Sequence, residues 1–144
     1  LKNEPVIVRV AIYAEGLSNF ESSDMSFGID MYFTQSWHDS RLEFSKNVSE
    51  DPIVFGNMKY IKKIWKPDTY FANSKHEEYH TVTKPNHVVR VFSNGIVTYT
   101  TRITGTYSCQ LSLHSYPMDQ QICEMRLLSF GYTKSKIKLI WYSE

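Results

Sequence analysis

No run of about 18 apolar residues occurs in the 144-residue chain, so no segment reads as a membrane-spanning helix. Charge of one sign is scarce as well. Lys+Arg 16 against Asp+Glu 15 leaves a formal net charge of +1, which gives no reason to expect nucleic acid or an acidic partner. The first residues, Leu1-Lys2-Asn3-Glu4-Pro5, are polar, so no signal peptide is expected there. Repeats, low-complexity linkers and a convincing helical period are all missing. So are a nucleophile motif and a phosphate-binding loop, so nothing points to an enzyme or calls for a cofactor. Cysteine is limited to Cys109 and Cys123, and in a cytosolic protein such a pair is more often two free buried thiols.

What is present is a β pattern. A chain of this length is one domain, large enough to bury a core. Val6 to Ala14 is rich in β-branched residues and reads as a strand, followed by a polar connection over Leu17 to Asp24. From Met25 the alternation is strict. Met25, Phe27, Ile29, Met31, Phe33 and Trp37 share one face, and Ser26, Gly28, Asp30, Tyr32, Thr34 and Ser36 share the other. Tyr32 is therefore an aromatic on an otherwise polar face.

Val88 to Phe92 and Ile96 to Cys109 flank Ser93-Asn94-Gly95, a strong hairpin signal. In the second arm Val97, Tyr99, Ile103, Tyr107 and Cys109 are expected inside, and Thr98, Thr100, Arg102, Thr104, Thr106 and Ser108 outside. Ile122 to Phe130 and Lys136 to Tyr142 read as further strands. Strands at this turn-punctuated spacing predict an all-β, immunoglobulin-like β-sandwich.

The stretch between the cysteines is the most informative part of the chain. They stand fourteen positions apart, around Tyr116-Pro117-Met118-Asp119, and are flanked by β-like runs. This segment closely resembles the disulfide loop of the Cys-loop receptors, the pentameric ligand-gated ion channels. Three more segments resemble the family in order and spacing: Gln35-Ser36-Trp37-His38-Asp39-Ser40-Arg41-Leu42, Trp65-Lys66-Pro67-Asp68-Thr69-Tyr70-Phe71-Ala72-Asn73, and Ser129-Phe130-Gly131-Tyr132-Thr133. The wording is similar to the anion-conducting branch, which includes glycine, γ-aminobutyric acid and invertebrate glutamate-gated receptors.

The resemblance implies a Cys109–Cys123 disulfide, worth roughly 3 kcal/mol for a loop of about 15 residues in the chain-entropy model. It also implies that residues 1–144 are a partial extracellular domain, incomplete at both ends. The family's N-terminal helix, last strands and transmembrane domain are not in the chain. Asn47-Val48-Ser49 is a glycosylation sequon in a polar stretch, in keeping with an extracellular face of a cell membrane. The partners expected are a small neurotransmitter-like agonist, other subunits of a homo- or hetero-pentamer, and the membrane through the missing domain.

In the family the agonist sits between subunits in a box of aromatics, where a ring face attracts an amine. Carried over by motif, one side of that box would include Tyr70, Phe130 and Tyr132. The other would include Tyr32, Thr34, Thr100 and Arg102, all on polar faces by the strand phase above. The ordinary reading of Tyr70 and Phe130 is core packing, and that of Arg102 is an ion pair with a neighbouring carboxylate. Two positions depart from the family. Thr34 stands where amino-acid-gated receptors commonly place a carboxylate-binding Arg, and Leu128 where they often place a Glu. Both argue against a conventional amino-acid site formed by two copies of this chain, and favour a different ligand or an accessory subunit.

The resemblance further implies a coupling end. The middle of the loop is apolar at Leu111, Leu113, Tyr116, Pro117 and Met118, which suggests a partner surface. Asp119 matches the family's coupling carboxylate, and Glu21, in a turn over Ser18 to Glu21, matches the other loop at that interface. A soluble binding protein would carry a more hydrophilic loop, so a channel is favoured over a secreted sandwich.

His76-Glu77-Glu78-Tyr79-His80 matches H-E-x-x-H in letters. A zinc protease needs it on a helix, yet Thr81-Val82-Thr83-Lys84-Pro85 follows. If extended, the segment puts His76, Glu78 and His80 on one face, a weak candidate for a modulatory zinc. A solvated polar edge is the preferred reading.

Overall fold

The structure is a computed structural model and describes residues 4–45 and 52–142. Asn47 lies outside the described residues. Among the described residues nine strands carry the fold: β1 (Val6–Glu21), β2 (Ser26–His38), β3 (Ile53–Phe55), β4 (Thr69–Phe71), β5 (Ser74–Tyr79), β6 (His87–Val91), β7 (Ile96–Ser108), β8 (Leu127–Ser129) and β9 (Ile137–Trp141). The larger sheet has the order β3-β6-β7-β2-β1-β9, with β5 also paired to β7. The smaller one is β4-β8. Every pair is antiparallel except β1 with β9, which run parallel from Val6↔Ile137 to Val10↔Trp141.

The alternation in β2 is the spine of the core. Phe27, Ile29, Met31, Phe33 and Trp37 are buried, and so are Val8 and Val10 of β1, Val89 and Val91 of β6, and Val97, Ile103 and Tyr107 of β7. The small sheet covers this face. Phe71 reaches inward to Phe33 and Tyr107, at ring-centroid distances of 5.2 and 5.5 Å. Gln35, buried among apolar side chains, accepts a 2.8 Å bond from the Thr69 hydroxyl, so it pins β4 to β2. Two layers around one core make the sandwich that the alternation predicts.

Several boundaries differ from expectation. β1 continues through the polar stretch to Glu21, because β2 pairs with it along its whole length across two register shifts, Ala14/Gly16 and Ser18/Glu21. The turn therefore lies at residues 22–25 rather than over Ser18 to Glu21, and Glu21 is the last residue of a strand, exposed, opposite Ser26. Met25 belongs to that turn, with φ of 48°, and is exposed rather than core. β8 is only Leu127–Ser129, since residues 121–126 run irregularly toward the disulfide.

Two helical turns also appear where no helical period was visible. A one-turn helix, α1 (Met58–Ile61), is capped by the Asn57 side chain, which accepts from the Lys59 amide at 2.9 Å, and it buries Ile61. A 3-10 turn at Ser40–Leu42 is capped by Asp39. Four residues give too short a window for periodicity to show.

The hairpin at Ser93-Asn94-Gly95 forms as expected, with Gly95 at φ +78°. Tyr107 is buried and donates to Glu77 at 3.1 Å, and burial pushes its phenol far above the ordinary range.

Candidate functional site

The smaller sheet presents one set of aromatics. In β4, Thr69 and Phe71 point into the core, so Tyr70 between them points out. Phe130 follows β8 and is 86 % exposed, the reverse of a core aromatic. Its ring meets Tyr70 edge-on at 5.9 Å, and Tyr132 meets Trp65 at 6.3 Å, which in turn packs on buried Trp37 at 5.8 Å. The structure thus brings Tyr70, Phe130 and Tyr132 onto one outward surface.

Asp68 builds the turn that carries them. Its carboxylate accepts from the Ser129 hydroxyl at 2.6 Å and the Gly131 amide at 2.5 Å. The Phe130 amide donates to the Asp68 carbonyl at 3.2 Å, and the Tyr132 amide to the Ser129 hydroxyl at 3.2 Å. Desolvation pushes the Asp68 carboxyl up, but the Ser129 hydroxyl and the backbone amides together outweigh it and hold the group below the usual carboxylate range. The two motifs containing Asp68 and Ser129 are therefore one structural unit.

The outward face of the larger sheet presents the second set. Cross-strand pairing of β2 with β7 places Asp30 opposite Thr104, Tyr32 opposite Arg102, Thr34 opposite Thr100 and Ser36 opposite Thr98. The Thr34 and Thr100 hydroxyls bond each other at 3.1 Å. The Arg102 guanidinium reaches both oxygens of Asp30, at 3.1 and 2.5 Å, so the ordinary ion-pair reading of Arg102 holds. The same guanidinium lies over the Tyr32 ring, 5.8 Å from its centroid, while Tyr13 of β1 packs on Tyr32 at 6.3 Å. The pair holds the Asp30 carboxyl below its usual range and raises Arg102. Beside Thr34, a groove of about 660 Å³ runs past Ser36 and Thr98 toward Arg9, a size suited to a small molecule.

The two sets face outward from opposite layers of one sandwich. One copy of the domain cannot wrap both around a single ligand.

Sequence reasoning missed Asp30 and Asp68, which hold these sets in place. It also missed Arg9 and Arg90, which flank the Ser36/Thr98 rung in register. Val8, Val10, Val89 and Val91 are buried, so strand alternation turns both arginines outward. Among the described residues neither makes a salt bridge. The alternation in β1 and β6 carried that signal.

At one end of the sandwich, Cys109 and Cys123 form the disulfide, with an S–S distance of 1.99 Å. Tyr116, Pro117 and Met118 are exposed at its tip, whereas Leu111 packs partly on the core. Gln121 pairs with the Ser112 backbone at 2.7 and 3.0 Å and also donates to Asp119. The β1–β2 turn adjoins the loop, since the Cys109 amide donates to the Met25 carbonyl at 2.8 Å. Lys75 braces this turn through the Asp24 carboxylate at 3.0 Å. Asn73 ties both stems. Its amide donates to the Ser108 and Glu124 carbonyls at 3.1 and 2.8 Å, and its side-chain oxygen accepts from the Arg126 amide at 3.0 Å.

The H-E-x-x-H letters begin on β5, an extended strand, and His80 is the first residue after it. His76 and Glu78 pair at 3.0 Å, but His80 turns to Thr104 at 2.6 Å and Asp30 at 3.7 Å. No group of three or more His, Cys, Asp or Glu able to hold a metal forms among the described residues.

The family model described as the neurotransmitter-gated ion-channel ligand binding domain matches residues 1–144. The chain belongs to that family. Its curated relatives include the γ-aminobutyric acid receptor subunit gamma-1 of Rattus norvegicus, 36 % identical over 137 residues. The gamma-1 subunit of Homo sapiens is 35 % identical over 137 residues and the gamma-3 subunit of Mus musculus 38 % over 138. The alignments cover 95–96 % of this chain but 29 % of each relative, so the chain spans under a third of their length. The match places the chain in the anion-channel branch of a family of receptors, not enzymes.

Proposed function

We propose that this chain is the extracellular agonist-binding domain of a pentameric, anion-selective ligand-gated channel subunit, held at the outer face of a cell membrane. The observation that carries the reading is the division of the site. Tyr70, Phe130 and Tyr132 stand on one outer layer, and Tyr32, Thr34, Thr100 and Arg102 on the other. A ring of like subunits would bring the first layer of one copy against the second layer of the next, closing a pocket that no single copy closes. Agonist binding there would shift a closed–open equilibrium by its differential affinity for the two states. The exposed Tyr116-Pro117-Met118 tip, with Asp119 and the neighbouring Glu21 strand end, would meet the membrane domain.

A second reading is favoured by two side chains. Thr34 is engaged with Thr100 and offers no charge, and Leu128, opposite Tyr70, is exposed where a counter-charge for an amine would stand. Both fit an accessory subunit that completes its pocket only beside a different chain.

Voltage clamp of the full-length subunit, alone and then co-expressed with other subunits of the branch, tests both. A gated current abolished by Phe130→Ala and by Tyr32→Ala supports the interface site, and its reversal potential reports the ion. Current only on co-expression selects the accessory reading. Surface expression without current in any combination counts against both.

A further inference from the structure

We propose that Asp30 is a positioning residue that holds Arg102 over the Tyr32 ring, so that Tyr32 offers a ligand its electropositive edge rather than a cation-binding face. The ligand consequence rests on the interface reading above; the positioning itself does not.

Arg102 stands directly opposite Tyr32 in the register, with Thr100 and Thr104 on either side of it along β7. A free guanidinium at that place could lean toward Thr34 and the groove. It leans instead one rung the other way, and Asp30 takes both its Nε and its Nη2 at 3.1 and 2.5 Å. That bidentate grip uses the fork an arginine would otherwise turn to an external carboxylate. It also fixes the guanidinium plane, leaving its carbon 5.8 Å from the Tyr32 centroid, inside cation–π range. The rest of the surroundings points the same way. His80 faces Asp30 from the end of β5 at 3.7 Å, Thr104 bonds His80, and Glu15 of β1 adds a negative charge near Arg102. On its other side Tyr32 is met by Tyr13. The quadrupole of Tyr32 is thus already engaged by a cation from its own chain. An amine ligand would find free ring faces on the opposite wall, where Phe130 is the most exposed.

The test uses ring chemistry and needs no agonist. The full-length protein, in wild-type, Asp30→Asn and Arg102→Gln forms, is treated with limiting triiodide and iodination is read by peptide mass. A guanidinium over the ring covers the face that the neutral iodine released from triiodide must reach. Tyr32 should therefore react roughly three- to tenfold faster in both variants, with Tyr70 and Tyr79 unchanged as internal controls. Unchanged Tyr32 reactivity in Asp30→Asn would overturn the proposal. So would a uniform rise at all tyrosines, the mark of a merely structural role. An absence of agonist current would count against the interface reading and leave the ring result standing.

Discussion

Beside the disulfide, one buried side chain ties both stems of the loop, and removing it has a calculable effect. Asn73 is 7 % exposed and makes three side-chain hydrogen bonds, two donated to the Ser108 and Glu124 carbonyls and one accepted from the Arg126 amide. Each such bond contributes about 1 kcal/mol net, and a partner left dry costs more. Asn73→Ala should therefore weaken the junction by about 3 kcal/mol. The Ser108 amide keeps its bond to the Asn73 carbonyl, so β7 itself should stay paired.

Local opening is read by amide hydrogen exchange on the full-length protein. A peptide over 124–128 should lose protection by about two orders of magnitude, since 1.4 kcal/mol corresponds to tenfold. A peptide over 29–35, in the middle of the large sheet, should not change. Exchange at 124–128 within about threefold of wild type would refute the reasoning, because it would mean that the stems hold without the Asn73 amide.

Three further outcomes follow from the geometry. Cys109→Ser with Cys123→Ser should lower stability by roughly 3 kcal/mol, seen as a lower denaturation midpoint or a reduced surface fraction. Gly95→Ala should cost about 1–2 kcal/mol by the same readout, since φ is +78° and an added Cβ would sit 2.9 Å from the Asp39 carbonyl oxygen. The folded-state pKa of Asp68 is depressed, so its contribution is complete above the unfolded value of 3.8 and is lost as pH falls below it through the folded value. Trp65 fluorescence, sensitive to Tyr132 beside it, should show a transition below about pH 4 that Asp68→Asn removes.

What the sequence revealed and what it hid divide along a physical line. In β2, Phe27, Ile29, Met31, Phe33 and Trp37 alternate with outward residues, Gln35 alone breaking the apolar series, and from Ile29 onward burial repeats with period two, so a local pattern fixed that strand and its faces. Asn94-Gly95 fixed the hairpin by backbone chemistry alone. Beyond Ala14 the pattern fails, because Glu15, Ser18 and Asn19 are polar and exposed, and only the length of β2 draws β1 onward. The irregular run into β8 was hidden for a related reason. Ile122 and Met125 look like strand residues, but the Glu124 carbonyl and the Arg126 amide are taken by the Asn73 side chain, and the Arg126 carbonyl accepts from the Ala72 amide at 2.7 Å. Polar anchors are the least legible of all. Asp30 meets Arg102 across 72 positions and Asp68 meets Ser129 across 61, and no local window joins such partners.

The same anchors relate the aromatic surface to the disulfide loop. β4 has three residues, with Asp68 before it and Asn73 two positions after it. Asp68 fixes the turn that displays Phe130, and Asn73 fixes both stems of the loop. Between them Thr69 is bonded to Gln35 and Phe71 is wedged between Phe33 and Tyr107. The extended part, Thr69–Phe71, spans about 10 Å with its inward side chains seated in the core, and the chain turns at Ala72 and Asn73 directly after it. Such a strand cannot stretch, and a seated aromatic resists sliding in a close-packed interior. A displacement of the Phe130 turn would therefore move β4 as a body, or break the Asp68 bonds. Position alone is not coupling. The arrangement supplies the mechanical condition that coupling between the proposed pocket and the loop requires: a short rigid element whose two ends are each gripped by a single polar side chain.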